Sequence, residues 1–452
     1  MCGSKLDYKE NSKSENQPLI SSSDSIKSNG VSIFRLSLVN TFGGLIFGYN
    51  TGVISMVLAL PFFKDNYSEI NQGLLTCSIL VGAMVGSIVG GIIMEKLGRK
   101  IAMLMVSILT VVGAIGISLV PLLWGVIVFR AILGIGVGIS AIVCPTYVGE
   151  MSPTEKKGTL GTIFQLAITS GIFISNALGF ALLHVQYNYR AMFIIGAAPG
   201  LCLFATFFFI PESTKWLNRN NTNPATDLLI NQKKKHSSNN QGIQALFTKP
   251  IGRFSLFIGI VLAINNQLTG INAFMFFSPS IFQKAGITSL NYTMISTICL
   301  VGWNVVTTFI ATFLIDRVGR RKLMLVGTLV MAVACVGLAI LNLLIKGTTL
   351  GVLSIVLLFI FIAGFEASAG PLFWILVIEI FPEEMREAGS SLLNAIQWVF
   401  NIALSFSFLS LSQLIGQSAI FFIFGGFGIV CLIIMYIYLP ETKNDDEDED
   451  EE

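Results

Sequence analysis

Twelve long apolar stretches, each bounded by polar or charged residues, follow one another along the chain. An α-helix needs about 20 apolar residues to cross a membrane. Each stretch is at least that long, so the pattern predicts twelve membrane-spanning helices, which we number spans 1 to 12. The predicted ranges are 34–60, 72–94, 101–121, 124–148, 158–183, 190–210, 251–283, 292–315, 322–345, 350–378, 388–412 and 418–439.

The spans form two sets of six, separated by a polar segment over 212–250. We therefore predict an all-α membrane protein with a first half over 34–211, a short cytosolic central loop and a second half over 251–440. The polar residues 1–33 bury too little apolar surface to fold, so we expect a disordered tail there. Residues 441–452 form an acidic C-terminal tail.

The composition supports this interpretation. Of 452 residues, 53% are hydrophobic and 12% are charged, about half of the roughly 25% charged residues found in soluble domains. The net charge of +2 gives no reason to expect a nucleic-acid partner. The sequence contains no nucleophile–base pair, metal-ligand cluster or phosphate-binding loop, so we expect no enzyme activity, no cofactor and no metal. The lipid bilayer is the expected partner.

Lys and Arg are unequally distributed between the loops. If the N-terminus is cytosolic, the inner loops carry 17 of them and the outer loops carry four, Lys64, Arg190, Lys284 and Lys346. Basic residues favour the cytosolic side, so we expect both tails to be cytosolic. Two acceptor sequences for N-glycosylation, at Asn66 and Asn291, then fall on the outer side, where modification occurs.

Short motifs recur in the two halves at nearly constant offsets. Parallel six-helix halves with a substrate site between them at mid-membrane are typical of many secondary transporters. The repeated features are Glu150 and Glu379, Glu212 and Glu441, at an offset of 229 residues, and the segments 95–100 and 316–321, at an offset of 221 residues.

The repeated charges lie at the cytosolic ends of corresponding spans, where opposite charges on the two halves can lock that side closed. We predict a cytosolic gate that opens when these contacts break. The alternative is ordinary anchoring of helix ends at the membrane surface. The predicted gate residues are Glu95, Arg99, Glu150, Lys157, Glu212, Asp316, Arg320, Glu379, Arg386 and Glu441.

An ordered set of motifs extends over residues 34 to 443. Its members are Phe47-Gly48-Tyr49-Asn50-Thr51-Gly52, the segment 95–100, Arg130 with Gly134, Gly136 and Gly138, Tyr147-Val148-Gly149-Glu150, Pro211-Glu212-Ser213, the segments 267–272 and 316–321, and Pro440-Glu441-Thr442. In these motifs the chain resembles the sugar porters of the major facilitator superfamily, and most of all the facilitative glucose transporters of animals. The resemblance implies the major facilitator fold and transport of a hexose, with glucose the expected substrate.

Polar side chains in mid-span face the bundle interior or a watery cavity, and amides suit sugar hydroxyls because they both donate and accept hydrogen bonds. Gln267 and Asn272 are about 140° apart on a continuous helix, so a break near Gly270 is needed to bring both to one cavity. For any single amide, helix–helix hydrogen bonding is the alternative. The candidate substrate-binding residues, several at sugar-contact positions by the resemblance, are Gln165, Asn266, Gln267, Asn272, Asn304, Glu366, Trp374, Gln397 and Trp398.

Some positions depart from the pattern of the glucose transporters. Asn266 stands where they have a second glutamine, Phe276 and Phe277 stand where two tyrosines are expected, and Gln397 stands where an asparagine is expected. These departures leave the choice among hexoses, pentoses and polyols open.

Proton-linked sugar porters place a carboxylate in span 1 opposite the span-4 arginine, here Arg130. This chain has Asn50 in that segment and no acid in span 1, so we expect uniport. A proton-coupled symporter that uses Glu366 is one alternative. A sugar receptor on the same fold that transports nothing is another.

The N-terminal tail contains an acidic dileucine pattern made of Glu15, Leu19 and Ile20. Clathrin adaptors read such patterns in cytosolic tails, and we expect them as partners here. The pattern favours an endosomal or lysosomal membrane over the plasma membrane.

Overall fold

The structure is a computed structural model that describes residues 32–153, 156–220, 239–382 and 385–441. The dileucine pattern at Glu15, Leu19 and Ile20 lies outside the described residues, as does the chain beyond residue 441. Within the described ranges, nothing is specified for the side chains of Lys157 and Asp316.

The described residues form helices and no strand, and twelve helices or helix pairs are long and apolar enough to cross a membrane. Their bounds lie within a few residues of the predicted ones, which confirms the all-α fold with twelve spans. In order, the spans are Ile33–Ala59, Glu69–Leu97, Arg99–Leu119, Leu123–Met151, Lys157–Ala181, Asn188–Ile195 with Ala198–Thr206, Pro250–Gln267 with Ile271–Lys284, Leu290–Val318, Arg320–Leu344, Thr348–Ala367 with Ala369–Glu379, Arg386–Leu414 and Gln417–Tyr438. Shorter helices cover Pro61–Asn66, Thr214–Asn220 and Asn239–Thr248.

The helix contacts repeat between the two sets of six. Span 1 packs on spans 5 and 6, span 2 on span 4, and span 3 on spans 4 and 6. Their counterparts do the same: span 7 packs on spans 11 and 12, span 8 on span 10, and span 9 on spans 10 and 12. The two sets meet through spans 2 and 11, 5 and 8, and 1 and 7. The interface between them is therefore built from equivalent spans on each side.

The outer surface of the bundle is apolar. On span 2, for example, Val85, Ile88 and Ile92 are 41%, 60% and 52% exposed. Soluble proteins rarely expose continuous apolar surface of this extent, whereas lipid tails cover it at no cost. The polar side chains that the sequence places in mid-span are instead buried between helices, as Asn50, Arg130 and Asn304 are.

Glycine allows close approach of spans 2 and 4. A Cβ atom added at Gly82 would lie 2.0 Å from the carbonyl oxygen of Ala131, far inside the contact distance of real atoms. Small residues at such crossings bring two backbones together, which is a main source of helix association in lipid. Gly91, on the same helix, has no neighbouring atom within 4 Å of an added Cβ.

We expect Gly82→Ala to lower the free energy of unfolding by about 1–3 kcal/mol, because the methyl group overpacks the contact with span 4. Gly91→Ala is the matched control, and we expect it to leave stability unchanged or slightly higher, since alanine is the better helix former. Thermal unfolding of the two detergent-purified variants measures the difference. Equal melting temperatures would contradict this packing.

Candidate functional site

A break in span 7 forms the first part of the site. The two helices of the span end at Gln267 and begin again at Ile271. Between them, Gly270 has φ +104°, and a Cβ there would lie 2.4 Å from a ring carbon of Phe424, so this position requires glycine. The break brings the Asn272 amide nitrogen to 2.6 Å from the Gln267 side-chain oxygen. The span is thus broken near Gly270, as the spacing of these two residues requires, and the two amides contact each other; their joint approach to a substrate cavity stays a prediction.

Four amides are joined in one hydrogen-bonded cluster. The Oδ1 atom of Asn266 accepts hydrogen bonds from Gln267 Nε2 at 2.7 Å and from Gln397 Nε2 at 2.8 Å. Asn272 extends the cluster through its bond to Gln267. Asn266, Gln267 and Gln397 are all buried, whereas Asn272 is half-buried. We call these four residues the amide cluster.

A break in span 10 supplies a backbone partner to the amide cluster. Its two helices meet at Ser368, whose φ of −137° and ψ of −92° lie outside the helical region. Asn266 Nδ2 donates to the carbonyl oxygen of Ala369, the next residue, at 2.6 Å. Reasoning from side chains missed this carbonyl, because a backbone group carries no sequence signal of its own.

A carboxylate and a further amide are paired between spans 8 and 10. Asn304 Nδ2 donates to Glu366 Oε1 at 2.8 Å, and each residue is 3% exposed. An ionisable side chain within a membrane span is costly to bury and is retained for a function as a rule. Two predicted site residues on different spans therefore contact each other directly.

The remaining candidates are placed differently. Trp398 is buried, and its ring centroid lies 6.3 Å from that of Phe47 in span 1, so this contact joins the two sets of spans. Gln165 is half-buried in span 5. Trp374 is 46% exposed, with a described ring contact to Phe373 at 5.3 Å. The described contacts do not draw Trp374 into the amide cluster.

Asn50 and Arg130 are buried in the first half and both contact span 6. Asn50 Nδ2 donates to the carbonyl oxygens of Ile46 at 2.9 Å and Gly196 at 3.2 Å. Arg130 Nε donates to the Leu75 carbonyl at 2.9 Å, and its guanidinium lies 5.5 Å from the ring centroid of Phe193. Within the described part of the chain, no carboxylate pairs with Arg130.

One end of the bundle, which we call the basic end, carries the loops rich in Lys and Arg. In the first half, Arg99 holds Glu150 through two hydrogen bonds of 2.6 and 2.9 Å. Glu212 accepts from the backbone N–H groups of Arg99 at 2.9 Å and Lys100 at 3.0 Å. A carboxylate is favourable there, because those groups begin the span-3 helix.

The second half repeats this arrangement. Arg320 pairs with Glu379, and Glu441 accepts from the backbone N–H groups of Arg320 at 3.0 Å and Arg321 at 3.2 Å. These contacts, like those of Arg99, join helices of the same half. Glu95 and Arg386 are exposed at this end. A gate made by these charges between the halves stays a prediction.

At the opposite end, described hydrogen bonds cross between the halves. Lys64 Nζ donates to Gln283 Oε1 at 2.7 Å, which joins the loop after span 1 to span 7. Gln413 of span 11 donates to Glu69 at the start of span 2. No sequence motif pointed to these pairs. Asn66 and Asn291 are exposed; their glycosylation stays a prediction.

The four side chains of the amide cluster are neutral hydrogen-bonding groups. Amides donate and accept in fixed directions, as recognition of a neutral, hydroxyl-rich ligand requires. Among the described residues, no group of three or more His, Cys, Asp or Glu side chains is arranged to hold a metal ion.

The family model described as "Sugar (and other) transporter" matches residues 36–451. The chain is 33% identical over 442 residues to the major myo-inositol transporter IolT of Bacillus subtilis (strain 168), covering 92% of this chain and 93% of that protein. It is 30% identical to the glucose transporter GlcP of Staphylococcus epidermidis, with 91% and 94% covered. It is also 30% identical to the galactose-proton symporter of Escherichia coli (strain K12), with 92% and 93% covered.

Solved structures give the same result. The crystal structure of a D-xylose-proton symporter superposes with a TM-score of 0.76 at 26% identity, covering 91% of this chain and 99% of that one. The inward-open xylose transporter XylE from E. coli superposes with a TM-score of 0.75 at 25% identity, covering 92% and 98%. The similarity extends over nearly the whole chain in both sequence and fold, and it shows a multi-pass membrane protein.

We expect Gly270→Ala to destabilise the protein more than Gly347→Ala does. Both glycines have positive φ, at +104° and +76°, so alanine is strained by about 1–2 kcal/mol at each. An added Cβ meets the Phe424 ring only at Gly270, since nothing lies within 4 Å at Gly347. Thermal unfolding of both variants measures the difference, and equal losses would show that span 7 does not pack at its break as described.

Proposed function

The chain belongs to the sugar porter family of the major facilitator superfamily, and we propose that it carries a hexose or a related polyol across a membrane by alternating access between its two six-helix halves. The observation that carries the proposal is the amide cluster at the broken centre of span 7. Buried amides that retain unused donors and acceptors suit a ring of hydroxyl groups that has left water.

The proposed substrate contacts are the hydrogen-bonding positions of the Gln267, Asn272 and Gln397 amides that their bonds within the cluster leave unused, together with Asn304 and Glu366 in spans 8 and 10. Gln165 and Trp398 would complete the site from span 5 and span 11, and Trp374 would join it in a conformation that moves the second helix of span 10. Glucose is the first substrate to test. The relatives are named for myo-inositol, glucose and galactose, so those compounds and xylose complete the panel.

We propose uniport on the basis of Asn50 and Arg130. A proton-coupled cycle needs a carboxyl group that binds and releases a proton as the protein changes conformation. Asn50 does not titrate, and Arg130 is bonded to a backbone carbonyl. The buried charge of Arg130 therefore has no carboxylate partner among the described residues of the first half.

Symport is the second candidate, and two observations favour it. Relatives over the whole chain include a galactose-proton symporter and a D-xylose-proton symporter. Glu366 is a buried carboxyl group in contact with another candidate site residue, and such a group is a suitable proton carrier. In this alternative the proton site lies in the second half.

We further propose that the basic end faces the cytosol, with both tails on that side, because membrane proteins retain Lys and Arg there. The relatives compared are bacterial, so the narrower likeness to animal glucose transporters rests on the motifs alone, as does the endosomal or lysosomal location. Clathrin adaptors as partners rest on the dileucine pattern at Glu15, Leu19 and Ile20.

We expect Gln267→Leu to raise the KM for uptake by roughly 5- to 150-fold, since a lost buried hydrogen bond to substrate costs about 1–3 kcal/mol. The matched control is Asn342→Leu. Asn342 is a half-buried amide that bonds its own helix in span 9, at the Leu338 carbonyl. Uptake of labelled sugar into proteoliposomes measures both, and equal effects would contradict a site at Gln267.

The same proteoliposomes distinguish the transport modes. For a uniporter, we expect uptake to stop at equal concentrations on both sides, with or without an inward proton gradient. Accumulation driven by the gradient, and lost in Glu366→Gln, would support symport. Binding of sugar without any flux would favour a receptor on the same fold.

A further inference from the structure

The side-chain oxygen of Asn266 is fully occupied by protein. An amide oxygen has two lone pairs, and here one accepts from Gln267 at 2.7 Å and the other from Gln397 at 2.8 Å. Asn266 itself is 3% exposed. It therefore has no acceptor left for a ligand hydroxyl, although it lies in the middle of the amide cluster.

One of the two N–H groups of the same side chain is also engaged. It donates to the Ala369 carbonyl at 2.6 Å, immediately after the break at Ser368 that divides span 10. One short side chain thus joins the broken centre of span 7, the break in span 10 and the middle of span 11. No other side chain in the amide cluster contacts three spans through described bonds.

These bonds fix how the two glutamines are presented. Since the NH₂ groups of Gln267 and Gln397 both point towards Asn266, the Gln397 oxygen is turned away from it. The Gln267 oxygen points to Asn272, which it binds at 2.6 Å. Without the Asn266 oxygen, Gln397 would lose the one described bond that orients its amide, and Gln267 would keep only its bond to Asn272.

We propose that Asn266 is a positioning residue that does not contact the substrate: it orients the Gln267 and Gln397 amides and connects them to the break in span 10. The inference rests on the proposed function, because it assigns a role within the same site. A ligand that moves either glutamine changes the hydrogen bonds of that glutamine with Asn266. It thereby also changes the bond between Asn266 and the second helix of span 10.

The side-chain length at this position is part of the argument. A glutamine at 266 would add a methylene between the backbone and the shared oxygen, in a place where the neighbouring amides and the Ala369 carbonyl are already at hydrogen-bond distance. It cannot keep all three bonds without displacing one of the spans. Asparagine is the residue that fits this arrangement.

The first test needs no sugar. A double-mutant cycle of Asn266→Leu and Gln397→Leu is measured by thermal unfolding in detergent. Because both changes remove the same hydrogen bond, we expect the double variant to melt close to the more damaged single variant. Asn266→Leu combined with Asn342→Leu is the control, and there we expect the two shifts to add. Additive shifts in the first cycle would overturn the shared bond and the inference.

The second test separates positioning from contact. The wild type and the three variants Asn266→Leu, Gln267→Leu and Gln397→Leu take up, or compete for, a series of deoxy analogues of the best-transported sugar. When a residue contacts one hydroxyl, its substitution should reduce the preference of the transporter for the sugar over the analogue that lacks this hydroxyl. We expect Asn266→Leu to lose discrimination, by at least threefold, only at hydroxyls that one of the glutamine variants also affects. If Asn266→Leu lost discrimination at a hydroxyl that neither glutamine variant affects, the inference would be overturned.

The two tests also separate this inference from the proposed function. If the wild-type protein takes up and binds none of the panel, the proposed function fails and the positioning of sugar contacts fails with it. If the wild-type protein transports sugar but the melting shifts of Asn266→Leu and Gln397→Leu add, only the role of Asn266 is overturned and the proposed function stands.

Discussion

Polar groups inside an apolar helix bundle have no water to bond, so each needs a partner from the protein. This constraint organises the centre of the molecule. The breaks at Gly270 and Ser368 free backbone and side-chain groups that a continuous helix would have satisfied or kept apart. Asn266 bonds the carbonyl of Ala369, the first residue after the break in span 10, and binds two glutamines through its oxygen. The polar centre is thus a consequence of two broken helices, and it is also the chemistry that a hydroxyl-rich ligand needs.

The two ends of the bundle are held by different kinds of contact. At the basic end, the pairs of Arg99 with Glu150 and of Arg320 with Glu379 stay within their own halves. At the opposite end, the bonds made by Lys64 and by Glu69 cross between halves. In this structure the described side-chain hydrogen bonds between the halves thus lie at the end opposite the basic end.

Much of the site could be predicted, and the limits have physical causes. The break near Gly270 could be predicted because Gln267 and Asn272 lie too far apart around a continuous helix to reach one cavity, but the direct bond between them could not. The partner of Asn304 was not, since Glu366 lies on a distant span and helical periodicity says nothing about which spans touch. Trp374 was predicted on the strength of a resemblance, and the described contacts leave it half exposed against Phe373.

The sequence by itself determined the number of spans, their approximate ends, the twofold repeat and the kinds of polar group buried in the middle. It does so because lipid imposes length and apolarity on each span separately, so this information is local. Only the tertiary structure decided which amides bond each other and that both the oxygen and the nitrogen of Asn266 bond protein groups. It also decided which ion pairs lie within one half. Those outcomes depend on the crossing of helices far apart in the chain, where a shift of one ångström exchanges one hydrogen-bond partner for another.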